Sequence, residues 1–307
     1  MKKYLFIILT CVGLISCGQN KKDDEVSREE ISNVDIKTKA NEPFKEGVIE
    51  LDIYFPGNDL SELLKKTDPS KGNIKQQMEK AISTVDVQQQ QRIQSSVQSN
   101  PIMAMQIILA PLLQNRIFVK GDDVTAKCDG LTYHLENTLN AANNSGKIYV
   151  VSQSNPKNAV TFNYDDEFFG NSTLQTKIDS ELYDRVETKE TKTIAGYVCK
   201  KMIYTLKGNA SPMSIVKLDV WTSKQMPQSL NFIHPYYLEE DYGIMKIDLY
   251  PKLESEPGLV YEFKKVTPAT VESADMSIKQ STPVYNAETD LQPIAAKLMG
   301  IMFGTEN

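Results

Sequence analysis

The amino-acid sequence predicts an α+β protein built from an antiparallel sheet, one long helical insertion and a C-terminal helix. Three observations lead to this fold class. A strand pattern follows Gly47, a helical stretch runs from about residue 58 to 114, and short strand patterns separated by turn residues continue from Arg116. Consecutive strands with segregated helices are typical of α+β domains, whereas alternating strands and helices would indicate a parallel sheet.

The first predicted element is a half-buried strand that begins at Gly47. Apolar and polar side chains alternate along it, and this period of two places the apolar ones on one face of a sheet. These apolar residues are Ile49, Leu51, Ile53 and Phe55. Pro56 and Gly57 are turn residues and end the strand.

Helices are predicted for the insertion at about 58–114. A short helix begins at Asn58 or Asp59, because either side chain can cap it. Asn73–Gln98 carries an incomplete apolar stripe, which indicates an exposed helix. Pro101 opens a further helix that is apolar on nearly all sides but too short to cross a bilayer.

Strands are predicted for most of the chain after Arg116, joined by short turns that contain Gly, Asp and Asn. One hairpin is expected around Ala195 and Gly196. The last element is a helix over Glu288–Phe303, where apolar residues recur at helical spacing.

The N-terminus has the composition of a secretory leader. Lys2 and Lys3 precede the apolar core Tyr4–Leu14, which is too short for a membrane span. Leu14-Ile15-Ser16-Cys17 resembles the lipobox of bacterial lipoproteins. This resemblance implies that Cys17 becomes the N-terminus and carries acyl chains such as palmitate. An ordinary signal peptide cleaved elsewhere is the alternative.

These assignments divide the chain into three parts: a signal peptide at 1–16, a flexible tether at 17–46, and a single domain at 47–307. Gly18 after the cysteine favours the outer membrane, by analogy with lipoprotein sorting in enteric bacteria. Lys21–Glu25 resembles the acidic export signal of surface lipoproteins. The alternative is that it is only a solvated linker. The sequence therefore leaves open whether the protein lies on the periplasmic or the surface face of the outer membrane. The net charge of −6 argues against a nucleic-acid partner.

A second resemblance lies in the middle of the chain. The stretch from Lys192 to Pro227 resembles a family of secreted proteins common in Bacteroidetes, which carry I-x-G-Y-x-C-x-K and V-W motifs. The matching residues are Ile194, Gly196, Tyr197, Cys199, Lys201, Val220, Trp221 and Ser223. Ser223 departs from the acidic or threonine-rich context that is commoner after the tryptophan. Such domains are similar to the LolA/LolB class of lipoprotein carriers. This similarity implies a curved antiparallel sheet, an open half-barrel, with the helical insertion and the C-terminal helix on its concave side.

No motif of an enzyme, a metal site or a cofactor site is present in the sequence. His134 and His234 are predicted to be hydrogen-bonded structural histidines. The acidic clusters Asp165–Glu167 and Glu239–Asp241 lack the spacing of a calcium loop, and we interpret them as solvated charge. The protein is therefore expected to be non-enzymatic and to need no cofactor or metal.

Methionine-rich apolar residues on two helices are the candidate lining of an apolar ligand site, because flexible methionine accommodates variable ligands. The alternative is that they fill an ordinary core. The candidate residues are Met103, Met105, Ile107, Leu109, Leu298, Met299 and Met302. Cys128 and Cys199 form one disulfide or are two separately buried thiols.

The function expected from these features is that of a membrane-anchored lipoprotein of the cell envelope. It would bind a lipid, another apolar ligand or a lipidated partner in a half-barrel cavity. The alternative is a structural or protein-interaction lipoprotein with a fully packed sheet, in which the glutamine-rich helix Asn73–Gln98 contacts a protein partner. A hydrolase with an unrecognised site is a third possibility.

Overall fold

A computed structural model describes residues 42–72, 74–140, 142–165, 178–208, 215–232, 238–253 and 256–303, without the side chains of residues 75, 101 and 105. The helices are α1 (Asp59–Leu64), α2 (Ile74–Ser83), α3 (Val87–Ser99), α4 (Pro101–Leu109), α5 (Ser273–Met276) and α6 (Leu291–Phe303). The strands are β1 (Glu46–Tyr54), β2 (Gln114–Lys120), β3 (Asp123–Asp129), β4 (Tyr133–Asn140), β5 (Ser145–Ser152), β6 (Ala159–Tyr164), β7 (Tyr183–Ile194), β8 (Tyr197–Leu206), β9 (Lys217–Ser223), β10 (Gly243–Tyr250), β11 (Leu259–Pro268) and β12 (Val284–Asn286).

The twelve strands of the described residues belong to one sheet, in the order β12-β6-β5-β4-β3-β2-β1-β11-β10-β9-β8-β7. Ten of the eleven neighbouring pairs are antiparallel, and β12 pairs with β6 in parallel. The first described strand, β1, lies in the middle of the sheet; β2 to β6 form one side, and β11 later returns to pair with β1. The α+β class, the antiparallel sheet and the C-terminal helix predicted from the sequence are confirmed.

The sheet has two faces that differ in what covers them. On β1, Ile49, Leu51 and Ile53 share one face, which we call the helix face. Helix α4 contacts this face, since Tyr261 of β11 donates a hydrogen bond to the Oε1 atom of Gln106 at 2.9 Å. Helix α6 covers its other end through Ile294, Leu298 and Ile301.

The opposite face is crossed by residues 269–283, which we call the strap. Side chains of the sheet form hydrogen bonds with the backbone of the strap. Lys120 donates to the carbonyl oxygen of Val271, and Thr125 donates to that of Met276. The amide of Lys279 donates to Glu136, and the amide of Ser281 donates to Thr161. The strap then continues into β12 at the edge of the sheet. We call this side of the sheet the strap face.

A fork opens in the middle of the sheet, at the second half of β1. Strand β1 pairs with β11 from Gly47 to Tyr54 but with β2 only from Glu46 to Glu50. Glu50 is opposite Arg116 of β2, whereas the pairing of β2 with β3 extends further, to Gln114. The two strands β1 and β2 therefore separate beyond Glu50.

Helices α1 to α4 follow β1 in the chain and precede β2, over the stretch that was predicted to be helical. Among the helices of the described residues, none is long and apolar enough to cross a bilayer.

Candidate functional site

A cavity of about 730 Å³ lies at the fork, and we call it the fork cavity. It is bounded by the second half of β1, the facing part of β11, helix α1, the chain that leads into β2, and the turn between β7 and β8. Its lining residues are Leu51, Asp52, Ile53, Tyr54, Ser61, Leu64, Lys65, Thr67, Leu112, Leu113, Thr193, Ile194, Ala195, Glu262, Phe263 and Lys264.

One wall of the fork cavity is apolar. Leu51 and Ile53 lie on the helix face of β1, and Phe263 is the partner of Leu51 on β11. Leu64 of α1 and Leu112 add to the same wall, and both are almost fully buried. The wall follows from the alternation of β1, because every second side chain of a strand points to the same face.

Helix α1 is fixed over this wall by hydrogen bonds to the end of β1. The Asn58 side chain caps the helix by accepting from the amide of Leu60 at 2.8 Å. The Ser61 hydroxyl accepts from the amide of Phe55 at 2.7 Å and lies 3.1 Å from its carbonyl oxygen, to which it donates. These bonds hold the short helix in place, although six residues are too few for a stable helix by themselves.

A tight turn closes another side of the fork cavity. Ala195 and Gly196 both have positive φ, 47° and 90°, as a two-residue hairpin with a right-handed twist requires. The turn thus gives the expected hairpin between β7 and β8. Lys192, just before it, places its Nζ atom 3.6 Å from Oε1 of Glu262 on β11.

The strap-face side of the cavity is polar and charged, and Glu262 is at its centre. Its Oε2 atom accepts from the Tyr54 hydroxyl at 3.0 Å and lies 3.3 Å from the Nζ atom of Lys246. Burial, and next the Glu262 carboxylate, raise the pKa of Tyr54 well above its ordinary value, so this phenol stays protonated and donates.

Two exposed ion pairs border the cavity. The Nζ atom of Lys264 is 3.5 Å from Oδ1 of Asp52, and the two side chains are 60% and 49% exposed. Lys65, which follows α1 directly, is paired with Glu62 at 2.7 Å and is also well exposed. The cavity therefore joins an apolar wall to a wall that carries charges of both signs.

The seven residues predicted to line an apolar site have different positions. Met103, Ile107 and Leu298 are buried in the core, Leu109 and Met299 are 40% and 50% exposed, and Met302 is half-buried. The side chain of Met105 lies outside the described residues. Of the six that are described, none lines the fork cavity.

The motif residues of β7 to β9 lie close to the cavity. Ile194 lines it, and the Tyr197 ring makes an edge contact with Phe44 at a centroid distance of 6.5 Å. Lys201 lies 3.1 Å from Asp219 and over the Trp221 ring. Lys201 and Trp221 thus contact each other across the neighbouring strands β8 and β9.

Cys128 and Cys199 are both free, buried thiols. They lie on β3 and β8, six places apart in the strand order, which is about 29 Å along the sheet at the usual strand spacing. The Cys199 sulfur instead contacts the Met245 sulfur at 3.4 Å. Of the two possibilities left by the sequence, the structure has two separate thiols. The predicted lipidation site Cys17 lies outside the described residues.

His134 lies on the strap face of β4 between two carboxylates. Its Nδ1 atom is 2.9 Å from Oδ1 of Asp129, and its Nε2 atom is 3.1 Å from Oε1 of Glu136. His234 lies outside the described residues. In the part of the chain that the structure describes, no three His, Cys, Asp or Glu side chains are grouped to hold a metal ion.

A second cavity, of about 470 Å³, lies beneath the strap near α5. Its polar lining is already bound within the protein: Thr125 donates to Met276, and Asn140 donates to Asp123 at 2.6 Å. The fork cavity is the better candidate for a ligand, because it is larger and its charged groups form looser pairs.

Comparison with known proteins gives little to add. No family model matches the chain, and no curated protein matches it. Among solved structures, PNGF-II in the P21 crystal form aligns with a TM-score of 0.36 and 16% identity, over 60% of this chain and 30% of that chain. The C2 form gives a TM-score of 0.33 and 15% identity over the same shares. The aligned part is thus less than a third of PNGF-II, and TM-scores this low carry no argument about fold or activity.

Proposed function

We propose that the protein is a non-enzymatic lipoprotein of the cell envelope that binds a lipid-like, amphipathic ligand in the fork cavity. The observation that carries this proposal is the cavity itself, about 730 Å³ with an apolar wall and a charged wall. Ligand sites are typically clefts of ~300–1,000 Å³ with mostly apolar linings and a few polar groups.

In this proposal β1 and the strands from β11 to β7 form the open half-barrel. Lys192 of β7 and Glu262 of β11 are in contact at 3.6 Å although their strands are four places apart in the sheet. In a flat sheet, four strand spacings would separate them by about 19 Å. The contact supports a curved sheet whose edge turns back toward the fork. Burial of the ligand's apolar part would then drive binding, at ~25 cal/mol per Å².

Narrowing the fork cavity should weaken ligand binding. Leu113 lines the cavity and is only half-buried, so Leu113→Trp adds volume there without removing a core side chain. We expect uptake of a fluorescent fatty acid to weaken about tenfold, because the indole ring occupies space that the ligand would need and its neighbours would have to move. Binding is measured by fluorescence titration on the chain from Gly18 onward, which keeps every described residue.

Leu109→Trp is the matched control, because Leu109 is 40% exposed on α4 and outside the cavity. It should leave binding unchanged. If the unmodified chain takes up no fatty acid, and mass spectrometry of its organic extract finds no lipid, the proposal is wrong. The alternative of a structural or protein-interaction lipoprotein would then be favoured. Helix α3 would be its surface for a protein partner, since that helix buries none of its residues.

The anchor is tested separately from the cavity. Cys17→Ser should prevent incorporation of labelled palmitate and move the protein from the membrane fraction to the soluble fraction, because several acyl chains hold a protein at a bilayer. Cys128→Ser is the control and should change neither result, as this thiol is buried in the sheet. Membrane association that persists without Cys17 would contradict the lipoprotein assignment. Protease treatment of intact cells distinguishes the two faces of the outer membrane.

A further inference from the structure

The charges on the lining of the fork cavity balance. Two lysines, Lys65 and Lys264, and two acids, Asp52 and Glu262, belong to the lining. Glu262 is firmly held, because Tyr54 and two further lysines surround its carboxylate. Lys65 has a close partner in Glu62. The ion pair Asp52–Lys264, at 3.5 Å and about half exposed, has both of its partners in the lining.

A loose, exposed ion pair contributes little to stability, so its two partners are easily exchanged. A ligand with one charge would pair with only one of the two partners and leave the other to water, so it would gain one ion pair at most. A ligand with both charges replaces the pair completely: its cationic group meets Asp52, and its anionic group meets Lys264. The apolar part of the ligand would then lie against Leu51, Ile53 and Phe263.

We infer that the ligand of the fork cavity is an amphiphile with a zwitterionic head group, recognised by Asp52 and Lys264. The inference rests on the proposed binding function and names its ligand class. Asp52 is on β1 and Lys264 is at the irregularity where the register between β1 and β11 shifts. Glu262 is the residue directly opposite Asp52, and Lys264, two residues further along β11, is its diagonal neighbour.

The test compares three single-chain amphiphiles of equal chain length with zwitterionic, anionic and cationic heads: a lysophosphatidylcholine, a fatty acid and an alkylamine. The unmodified chain from Gly18 onward should bind the zwitterion most tightly. Lys264→Gln should weaken the zwitterion about fivefold and shift the preference toward the alkylamine. Asp52→Asn should shift it toward the fatty acid. The expected changes in affinity are moderate because a half-exposed ion pair contributes little free energy.

The neighbouring pair Glu50–Lys265 provides a matched control. It has the same residue chemistry, a distance of 3.9 Å and exposed fractions of 44% and 64%, but it does not line the cavity. Lys265→Gln and Glu50→Gln should therefore leave all three affinities unchanged. If these controls change the preference as much as the cavity variants do, the inference is wrong.

The outcomes also separate this inference from the proposed function. Equal affinity for the three amphiphiles, with all three weakened by Leu113→Trp, would overturn the head-group inference and leave the binding function intact. No binding of any of them, or binding that Leu113→Trp does not weaken, would overturn both.

Discussion

At the scale of single residues, His134 has the most unusual surroundings in the described part of the chain. A carboxylate lies at each ring nitrogen, and a carboxylate oxygen can only accept a hydrogen bond. Both contacts are satisfied only when both nitrogens carry a proton. Burial by itself lowers the pKa of His134, but the hydrogen bonds and charges of Asp129 and Glu136 outweigh it, so its pKa is raised above the ordinary value of 6.5.

Stability should therefore depend on pH through His134. Because its folded pKa is raised, the stabilisation is fully present below the unfolded pKa of about 6.5 and is lost as pH rises through the folded pKa. We expect His134→Gln to lower the free energy of unfolding by about 1–3 kcal/mol at pH 6, because it leaves the buried Glu136 without its cation. At pH 9 the loss should be smaller, because the unmodified histidine then carries less charge. Urea unfolding at a series of pH values measures both.

An NMR titration gives the control for this prediction. The chain has two histidines, so His134→Gln also assigns the ring signals. The His134 signal should titrate above pH 6.5, and a midpoint at or below that value would contradict the argument. The carboxylate of Glu136 also accepts from the Lys279 amide in the strap, so protection of that amide from exchange should fall together with stability.

At the scale of elements, the regular strands and helices could be predicted where one face is buried. The alternation of Ile49, Leu51 and Ile53 predicted β1, and the apolar spacing of residues 288–303 predicted α6, because burial against one neighbour imposes the period of the element. The hairpin at Ala195–Gly196 was likewise predicted from local turn chemistry.

The strap and β12 could not be predicted in this way. The strap is held by side chains far away in sequence, such as Glu136 for Lys279 and Thr161 for Ser281. Its own side chains are mostly exposed and show no period. β12 has only three residues and pairs in parallel with β6, a contact that no local pattern specifies.

The fork cavity was missed for a related reason. In the sequence Leu51 and Phe263 are ordinary strand residues, and they line a cavity only because the pairing of β1 with β2 stops at Glu50. The end of that pairing depends on how two distant segments separate, which is a tertiary property. Methionine, on which the sequence interpretation relied, also fills cores, and Met103 on α4 is buried in one.

At the scale of the whole molecule, one sheet carries two apolar clusters. The larger includes side chains of α1, α4 and the central strands, and the smaller lies under α6 with Val150, Val160 and Phe162. Leu135 of β4 packs against both clusters. Because the strands also hydrogen-bond without interruption from β6 to β7, we expect the described domain to unfold as one cooperative unit.

Leu298→Ala tests this cooperativity, because Leu298 is buried in the smaller cluster. We expect a loss of about 2–4 kcal/mol in the free energy of unfolding from the lost burial and the cavity. The only tryptophan, Trp221, lies in the larger cluster on β9 and reports on the other half of the sheet. In urea unfolding, Trp221 fluorescence and far-UV circular dichroism should therefore shift to the same lower midpoint.

Met299→Ala is the control on the same helix, since Met299 is 50% exposed and should cost less than about 0.5 kcal/mol. A Trp221 transition that stays in place while circular dichroism detects an earlier step would contradict a single unit. The two halves of the sheet would then unfold separately, and the natural boundary would be the fork, where β1 loses its contact with β2. A ligand in the fork cavity would in that case stabilise the half that contains Trp221 first, because the β1, β11 and β7 residues that line the cavity belong to that half.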